Sequence, residues 1–542
     1  MSTQTLNRDM ALPWSTRTTN IAHFLTRNAR RFADRPAIIW GDDTWTWAEL
    51  DKRVSALASV MREKYGVKHG DRILVQSPNN NQITEVMLAC FRLGAVWVPS
   101  NFRQGPDEVA FLGQKAEAAL MVCEAGFPAH AEACLAAIPD LSGVISIGAS
   151  DFGPSYEDLI AGALGVDVPN ADVERDDPCW LFFTSGSTGR PKAVVLTQGQ
   201  LTFTIVNHLN DLLPASTVED VSLVVAPLSH GAGMHQLNQI AVGAVSVLLP
   251  SGRFDPAMAW QMVERYKVTN MFTVPTIVKM LVEHPSVDEF DHSSLRYVIY
   301  AGAPMYREDQ KFALKKLGKV LVQYFGLGEV TGCITVLPRE DHHIEDGPKA
   351  RVGTCGIERT GIHISIQDDE GNHLPAMASG EICVAGLAVC AGYYKDNEAN
   401  AKAFRNGWFR TGDLGHMDTE GYLYITGRAS DMYISGGSNV YPREIEELLL
   451  THPGLKEVAV LGVPHPKWGE VGLAVCVAED GHSLNEEELM SVIAGKLAKY
   501  KLPSHFVFLD EMPKTGYGKI TKKLVREELT ARGLMPDAGS AT

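Results

Sequence analysis

The stretch NMFTVPTIVKMLVEHPSVDEFDHSSLRYVIY, residues 270–300, decides the fold. Asn270 to Val274 is a short apolar run of the kind that forms a buried strand. Thr276 to His284 follows with apolar residues spaced for one face of a helix, and Arg296 to Tyr300 is a second strand-like run. Working outward, Ile73 to Gln76, Val221 to Val225 and Val245 to Leu249 have the same texture, and Pro256 to Tyr266 has helical spacing. Short β-branched runs alternating with helices over most of the length predict α/β layers with parallel strands. No repeat of 20 to 50 residues and no low-complexity tract interrupts them.

The chain has 542 residues, 45% apolar and 21% charged, the composition of a globular protein of two to four domains. Such a length buries a large core without disulfide or metal staples. Its 65 acidic and 49 basic side chains give a formal charge of −16, which repels phosphate backbones and anionic membranes. Nucleic acid is therefore not an expected partner, and an anionic ligand must be held by local donors. The nine cysteines are scattered, with no CxxC pair, which points to reduced thiols rather than a zinc site. Met1 to Asn20 is polar, no run of about 18 apolar residues occurs, and Ser540, Ala541 and Thr542 form no peroxisomal address. A cytoplasmic protein without an integral membrane segment is expected. Its oligomeric state is open, a homodimer included.

From about Gly421 the texture changes. A polar, Gly-rich stretch, Gly427 to Tyr441, leads into a helix opening at Pro442, with Ile445, Leu448 and Leu449 on one face. Val458 to Val463 and Leu473 to Val477 read as strands. Ser483 and Glu486 have capping-box spacing before a helix carrying Leu489, Ile493 and Leu497. The expectation is a large multi-layer N-terminal domain with mixed and parallel sheets, residues 1–429, and a small α+β C-terminal domain, residues 430–542.

The strongest local signal is WLFFTSGSTGRPKAVVL, Trp180 to Leu196. An apolar strand, Trp180 to Phe183, runs into Thr184, Ser185, Gly186, Ser187, Thr188 and Gly189. These supply hydroxyls and unhindered N–H groups, the donors that wrap phosphate oxygens, and Lys192 adds a positive charge. Pro191 breaks the Walker A pattern, and no Ser or Thr follows the lysine. Composition alone leaves a phosphate loop and a solvated hairpin equally open.

The run closely resembles the signature loop of the adenylate-forming (AMP-binding) superfamily, which includes acyl-CoA synthetases, peptide-synthetase adenylation domains and luciferases. Further segments resemble that superfamily in order: APLSHGAG (Ala226 to Gly233), YAGAP (Tyr300 to Pro304), QYFGLGE (Gln323 to Glu329), the GEI and GYY elements within Gly380 to Tyr393, and WFRTGDL (Trp408 to Leu414). They continue with YITGRASDMYISGGSNVYPREIE (Tyr424 to Glu446) and MPKTGYGKI (Met512 to Ile520). The resemblance covers roughly residues 20–528.

It implies attack of a carboxylate on the α-phosphate of ATP, then acyl transfer to a thiol, most simply that of coenzyme A. Glu329 resembles the glutamate associated with Mg²⁺, a hard cation suited to carboxylate oxygen. Asp413 resembles the acceptor of the ribose hydroxyls, and Arg428 the arginine beside it. Gly302, Ala303 and Pro304 resemble the backbone wall at adenine. Phe325 with Gly326 follows, the phenyl replacing a usual tyrosine, so stacking is kept and a phenolic hydrogen bond is lost. Lys519 resembles the C-terminal catalytic lysine that offsets charge at phosphorus. His230 resembles a histidine that closes the acyl pocket, with a structural loop histidine as the alternative. His235, His342 and His343 have no such support. Three departures stand out: Gly328 where Thr is usual, Gln198 where the loop motif often ends in histidine, and Ser430 at the hinge position.

Ser435, Gly436 and Gly437 resemble a glycine-lined pantetheine passage. Trp468 is a candidate to stack on the CoA adenine and Lys501 to meet a CoA phosphate. No carboxylate lies among Ser229 to Ala232 to pair a substrate amine, and the chain ends 23 residues after Lys519, so no fused carrier domain is expected. A stand-alone ligase loading a carrier protein or an amino acid is the alternative. The resemblance places the acid near Met234, Val298, Leu327, Cys333 and Ile334, with no arginine or lysine among those stretches. An apolar monocarboxylate, aromatic or fatty, is therefore expected, with malonate and succinate poor substrates.

Overall fold

The computed structural model of the chain describes residues 16–184, 190–250, 254–303, 305–347, 349–428, 431–514 and 520–536. In the deciding stretch the strand Asn270–Thr273, the helix Pro275–Glu283 and the strand Tyr297–Tyr300 fall within a residue of expectation. Pro275 sets the first boundary. It holds Val274 extended, at φ −120° and ψ 158°, and then opens the helix at its first position, where a missing N–H costs nothing.

The two strands pair in parallel within a seven-stranded sheet. Its order is Leu321–Gln323, Tyr297–Tyr300, Asn270–Thr273, Val221–Val224, Val245–Leu248, Pro36–Trp40 and Asp43–Thr46, parallel up to the final hairpin. A six-stranded sheet runs Val144–Ile147, Ala118–Glu124, Arg72–Gln76, Val96–Pro99, Pro178–Thr184 and Lys192–Thr197, again parallel except for its last, antiparallel pair. One hydrophobic cluster takes residues from both, Val75, Trp97 and Trp180 on one side and Ile38, Val224 and Leu248 on the other. Helices lie between them. In Asn81–Leu93 every residue but Gln82 is buried, the pattern of a helix covered on all faces.

An antiparallel sheet follows, in which Trp408–Met417 pairs with Gly380–Gly386, Phe404–Arg405 and Leu423–Arg428. After residue 430 the chain forms a separate five-stranded sheet in the order Ser438–Val440, Tyr433–Ser435, Gly469–Ala478, Leu455–His465, with Pro503–Phe508 on Gly469–Ala478. Its two faces carry alternate residues. Val458 and Val460 pack under the helices Pro442–Leu449 and Glu486–Ile493, and Ala459, Leu461 and Val463 pack under Lys522–Ala531.

One boundary differs from expectation. The capping box is formed by Asn485 and Glu488: the Asn485 side chain accepts from the Glu488 N–H at 3.0 Å, and the Glu488 carboxylate accepts from the Asn485 N–H at 3.2 Å. Ser483 therefore lies outside the cap, and Leu497 lies beyond the helix end at Ile493. All nine cysteines are buried and free. Among the described residues no helix is long and apolar enough to cross a membrane.

Candidate active site

Four of the sequence-derived segments emerge from the carboxyl ends of parallel strands, where ligands of open α/β sheets bind. Thr184 ends Pro178–Thr184, Ala226 to His230 follows Val221–Val224, Gly302 and Ala303 follow Tyr297–Tyr300, and Phe325 to Glu329 follows Leu321–Gln323. Ser185, Gly186, Ser187, Thr188, Gly189, Pro304, Ser430 and Lys519 lie outside the described residues.

Glu329 stands on a 3₁₀ turn, Gly328–Val330. Its Oε1 accepts two hydrogen bonds, from Thr184 Oγ1 at 3.0 Å and from the Tyr393 hydroxyl at 3.1 Å. Tyr393 is set by main-chain pairing: Val195 N donates to Gly392 O at 2.9 Å and Tyr394 N to Ala193 O at 2.8 Å. Burial and the facing carboxylate push its phenol well above the ordinary tyrosine range, so it stays a donor. Lys192 is the hairpin partner of Thr184, and its ammonium lies 4.9 Å from the centre of the Tyr393 ring. Sequence reading passed over Tyr393 because 64 residues separate it from Glu329.

Gly328 and Gly326 are fixed by space. A Cβ on Gly328 would lie 2.6 Å from the Phe182 ring and 2.9 Å from Thr184 Cγ2, so the room a threonine would need is taken by a phenyl group. A Cβ on Gly326 would meet the Gly332 backbone at 2.4 Å. Gly302 has φ +85°, a left-handed conformation natural to glycine. The Phe325 N–H donates to Thr335 Oγ1 at 3.2 Å, leaving its ring partly buried. Gln198, the second departure, is buried, and its side-chain oxygen accepts from Ile21 N at 3.3 Å.

His230 directly precedes the helix Gly231–Val242. Its Nδ1 meets Ser229 Oγ at 2.9 Å and its ring stands edge-on to Phe182 at 5.2 Å. Burial pulls the imidazole down to about 4, so it is neutral at pH 7. Asn79 fixes the approach, its amide donating to Ala226 O at 2.9 Å and accepting from Leu228 N at 2.8 Å. His342 is structural: Nδ1 faces the Pro338 carbonyl at 2.9 Å and therefore donates, leaving Nε2 to accept from Tyr300 at 3.0 Å.

Asp413 and Arg428 face each other in register on adjacent strands, with Nε 3.1 Å from Oδ1. Arg428 is half-exposed, so the pair contributes at most about 1 kcal/mol to stability; its effect is to orient a buried carboxylate.

In the C-terminal part, Gly436 N donates to Trp468 O at 2.8 Å, so the Ser435, Gly436, Gly437 turn and Trp468 are neighbours. A Cβ on Gly436 would meet the indole at 3.1 Å. Trp468 is 47% exposed, which excludes a core role. Lys501 does not stand ready for a phosphate, because its ammonium is held by Glu444 at 2.6 Å.

Residues 25–394 match the AMP-binding enzyme family and residues 444–519 match the AMP-binding enzyme C-terminal domain. The chain belongs to the AMP-binding enzyme family. It is similar to a feruloyl-CoA synthase of Amycolatopsis, 37% identical over 504 residues that cover 92% of this chain and 97% of the relative. An indoleacetate–CoA ligase of Aromatoleum aromaticum is 32% identical over 517 residues, 95% and 99% of the two chains. Among solved structures, ATP-bound MatB from Rhodopseudomonas palustris superposes with a TM-score of 0.84 at 29% identity, covering 94% of this chain and 99% of that one. The large N-terminal and small C-terminal parts of the fold are those of the family.

Within this AMP-binding enzyme, Thr184, Lys192 and Glu329 are drawn into one cluster, Asp413 and Arg428 into a second, and Ser435 to Gly437 with Trp468 into a third.

Proposed function

We propose that this enzyme is an AMP-forming acyl-CoA synthetase acting on an aromatic monocarboxylic acid. A carboxylate oxygen attacks the α-phosphorus of ATP and the bond to pyrophosphate breaks. The CoA sulfur then attacks the acyl carbon, and AMP leaves. The observation that carries this reading is the Glu329 carboxylate beside the Thr184–Lys192 hairpin, with Oε1 taken by two donors and Oε2 without a hydrogen bond among the described residues.

That donor set suits Mg²⁺, which is held by one or two carboxylates plus substrate phosphates. Glu329, through Oε2, would hold the ion, which would supply charge neutralisation along the triphosphate. Thr184, the hydroxyls and N–H groups of Ser185 to Gly189, and Lys192 hold phosphate oxygens. Asp413 accepts the ribose hydroxyls with Arg428 alongside. Gly302, Ala303, Pro304, Phe325 and Gly326 border the adenine. Neutral His230 closes the acid pocket, and Lys519 offsets charge at phosphorus during adenylation. Residues 1–429 and 430–542 move relative to each other between the two half-reactions, and Ser435 to Gly437 with Trp468 receive CoA.

An aromatic acid is favoured by the phenyl rings beside His230 and Gly231, those of Phe182 and Phe272, and by the relatives named for ferulate and indoleacetate. The test is pyrophosphate release from ATP with single aromatic acids, with and without CoA. Acid-dependent release coupled to equal consumption of CoA thiol is expected. Release without thiol consumption would point to a carrier-protein ligase instead.

A further inference from the structure

Five residues beyond His230, roughly 7.5 Å along the helix axis, lies His235, buried at 4% exposure. Its ring lies flat on Phe272, centroids 4.4 Å apart, and Phe272 is the ring that a Cβ on Gly231 would strike at 2.7 Å. His208 stands edge-on to His235 at 5.0 Å, and both rings lie about 6 Å from Tyr324. Behind them is Arg359, fully buried. Its Nη2 meets His208 Nδ1 at 2.9 Å and its Nη1 donates to Gly332 O at 3.3 Å.

Sequence reading found no arginine or lysine in the stretches assigned to the acid; Arg359 lies in another segment, 151 residues from its partner His208. Its charge is balanced by Asp211, with Nε 3.8 Å from Oδ2, beyond hydrogen-bond reach.

The proton positions follow from chemistry. A guanidinium has no acceptor, so Arg359 donates and His208 Nδ1 is the acceptor. Burial and the adjacent guanidinium hold His208 well below its ordinary value, so the ring is neutral and its single proton sits on Nε2. That Nε2–H has no partner among the described residues, nor has Arg359 Nε–H, nor His235 Nε2. His208 Nε2–H and Arg359 Nε–H are buried donors, each costing about 1–3 kcal/mol when left without an acceptor, and together in one layer they call for an acceptor from outside the protein.

We infer that this layer receives an oxygen substituent at the far end of the acid, so that the substrate is an oxygen-bearing aromatic acid rather than a pure hydrocarbon one. The inference rests on the acyl-activating reading above. His230 and His235 stand at the N-terminal end of one helix with the Phe272 ring beside Gly231 and His235, which puts the layer on the same side as the acid pocket assigned to His230. Because Asp211 already balances Arg359, the layer suits a neutral oxygen; a second carboxylate would enter buried with no net charge to meet it.

The test is acid-dependent pyrophosphate release with 4-hydroxycinnamate, 4-methylcinnamate and 4-carboxycinnamate. Wild type should favour the hydroxy acid over the methyl acid by at least about tenfold in kcat/KM, and turn over the dicarboxylate least. His208→Phe removes the donor and should bring the hydroxy-to-methyl ratio to within about threefold of unity. His208→Gln keeps an acceptor toward Arg359 and a donor beyond it, and should retain the preference. A wild-type enzyme indifferent to the pair, or a His208→Phe variant that keeps a tenfold preference, would overturn the inference, the layer then being satisfied by buried water. Failure of every acid to release pyrophosphate would overturn the acyl-activating reading instead.

Discussion

Glu329 presents two oxygens that are not equivalent. Thr184 and Tyr393 both donate to Oε1, which fixes the carboxylate plane and leaves Oε2 for the proposed Mg²⁺. A ligand held by outer donors loses affinity, by roughly 10–100-fold, when a donor is removed. Tyr393→Phe keeps the ring beside Lys192 and deletes one of the two bonds. It should raise the Mg²⁺ concentration for half-maximal pyrophosphate release by roughly 10-fold, with the KM for ATP at saturating Mg²⁺ little changed. Direct Mn²⁺ titration in the presence of ATP should show the same weakening. A variant with normal Mn²⁺ affinity would reduce Tyr393 to a packing role. Gly328 carries a related lesson. From sequence it looks like a lost hydroxyl, whereas in the fold it accommodates Phe182.

At the scale of elements, the central βαβ unit was legible almost to the residue. A proline at the strand–helix junction and apolar runs of the right length leave few alternatives. The second cap was misread because Ser483/Glu486 and Asn485/Glu488 have the same spacing. What separates them is which start lets Leu489 and Ile493 face the sheet, a tertiary fact. Asn485→Ala should cost about 1 kcal/mol and Ser483→Ala close to nothing, measured by urea unfolding. Equal losses would refute the assignment. Thr184, Glu329 and Asp413 could be read from sequence, because each stands out within a motif of its own, Thr184 at the end of Pro178–Thr184 and Asp413 within Trp408–Met417. Tyr393, Asn79 and Arg359 could not, because each meets its partner across 64 or more residues of intervening chain.

At the scale of the molecule, the ladder between Trp408–Met417 and Leu423–Arg428 pairs Asp413 with Arg428, which stands two residues before Ser430. Rotation about Ser430 would then leave the ribose contacts in place while exchanging what covers the phosphates. Proline fixes φ near −65° and restrains the preceding residue. Ser430→Pro should keep adenylation and block transfer to CoA in single-turnover assays; full transfer would put the hinge elsewhere. Acid sensitivity is also a property of the whole. Burial draws His230 and His342 down to about 4 and His235 to about 3, against about 6.5 in the unfolded chain. Below pH 6.5 the unfolded state binds more protons, so stability is complete above that value and is lost as pH falls toward 4. The melting temperature should drop progressively from pH 7 to pH 5, and a flat profile would mean these rings are solvated. The nine buried cysteines have a practical counterpart. Burial pushes every thiol upward, Cys333 and Cys383 to about 11 and Cys123, Cys134 and Cys476 to about 12. The native enzyme should therefore react only slowly with thiol-reactive dyes. In a reaction mixture such a dye counts CoA alone, and any slow additional colour is a clock for the opening of the fold.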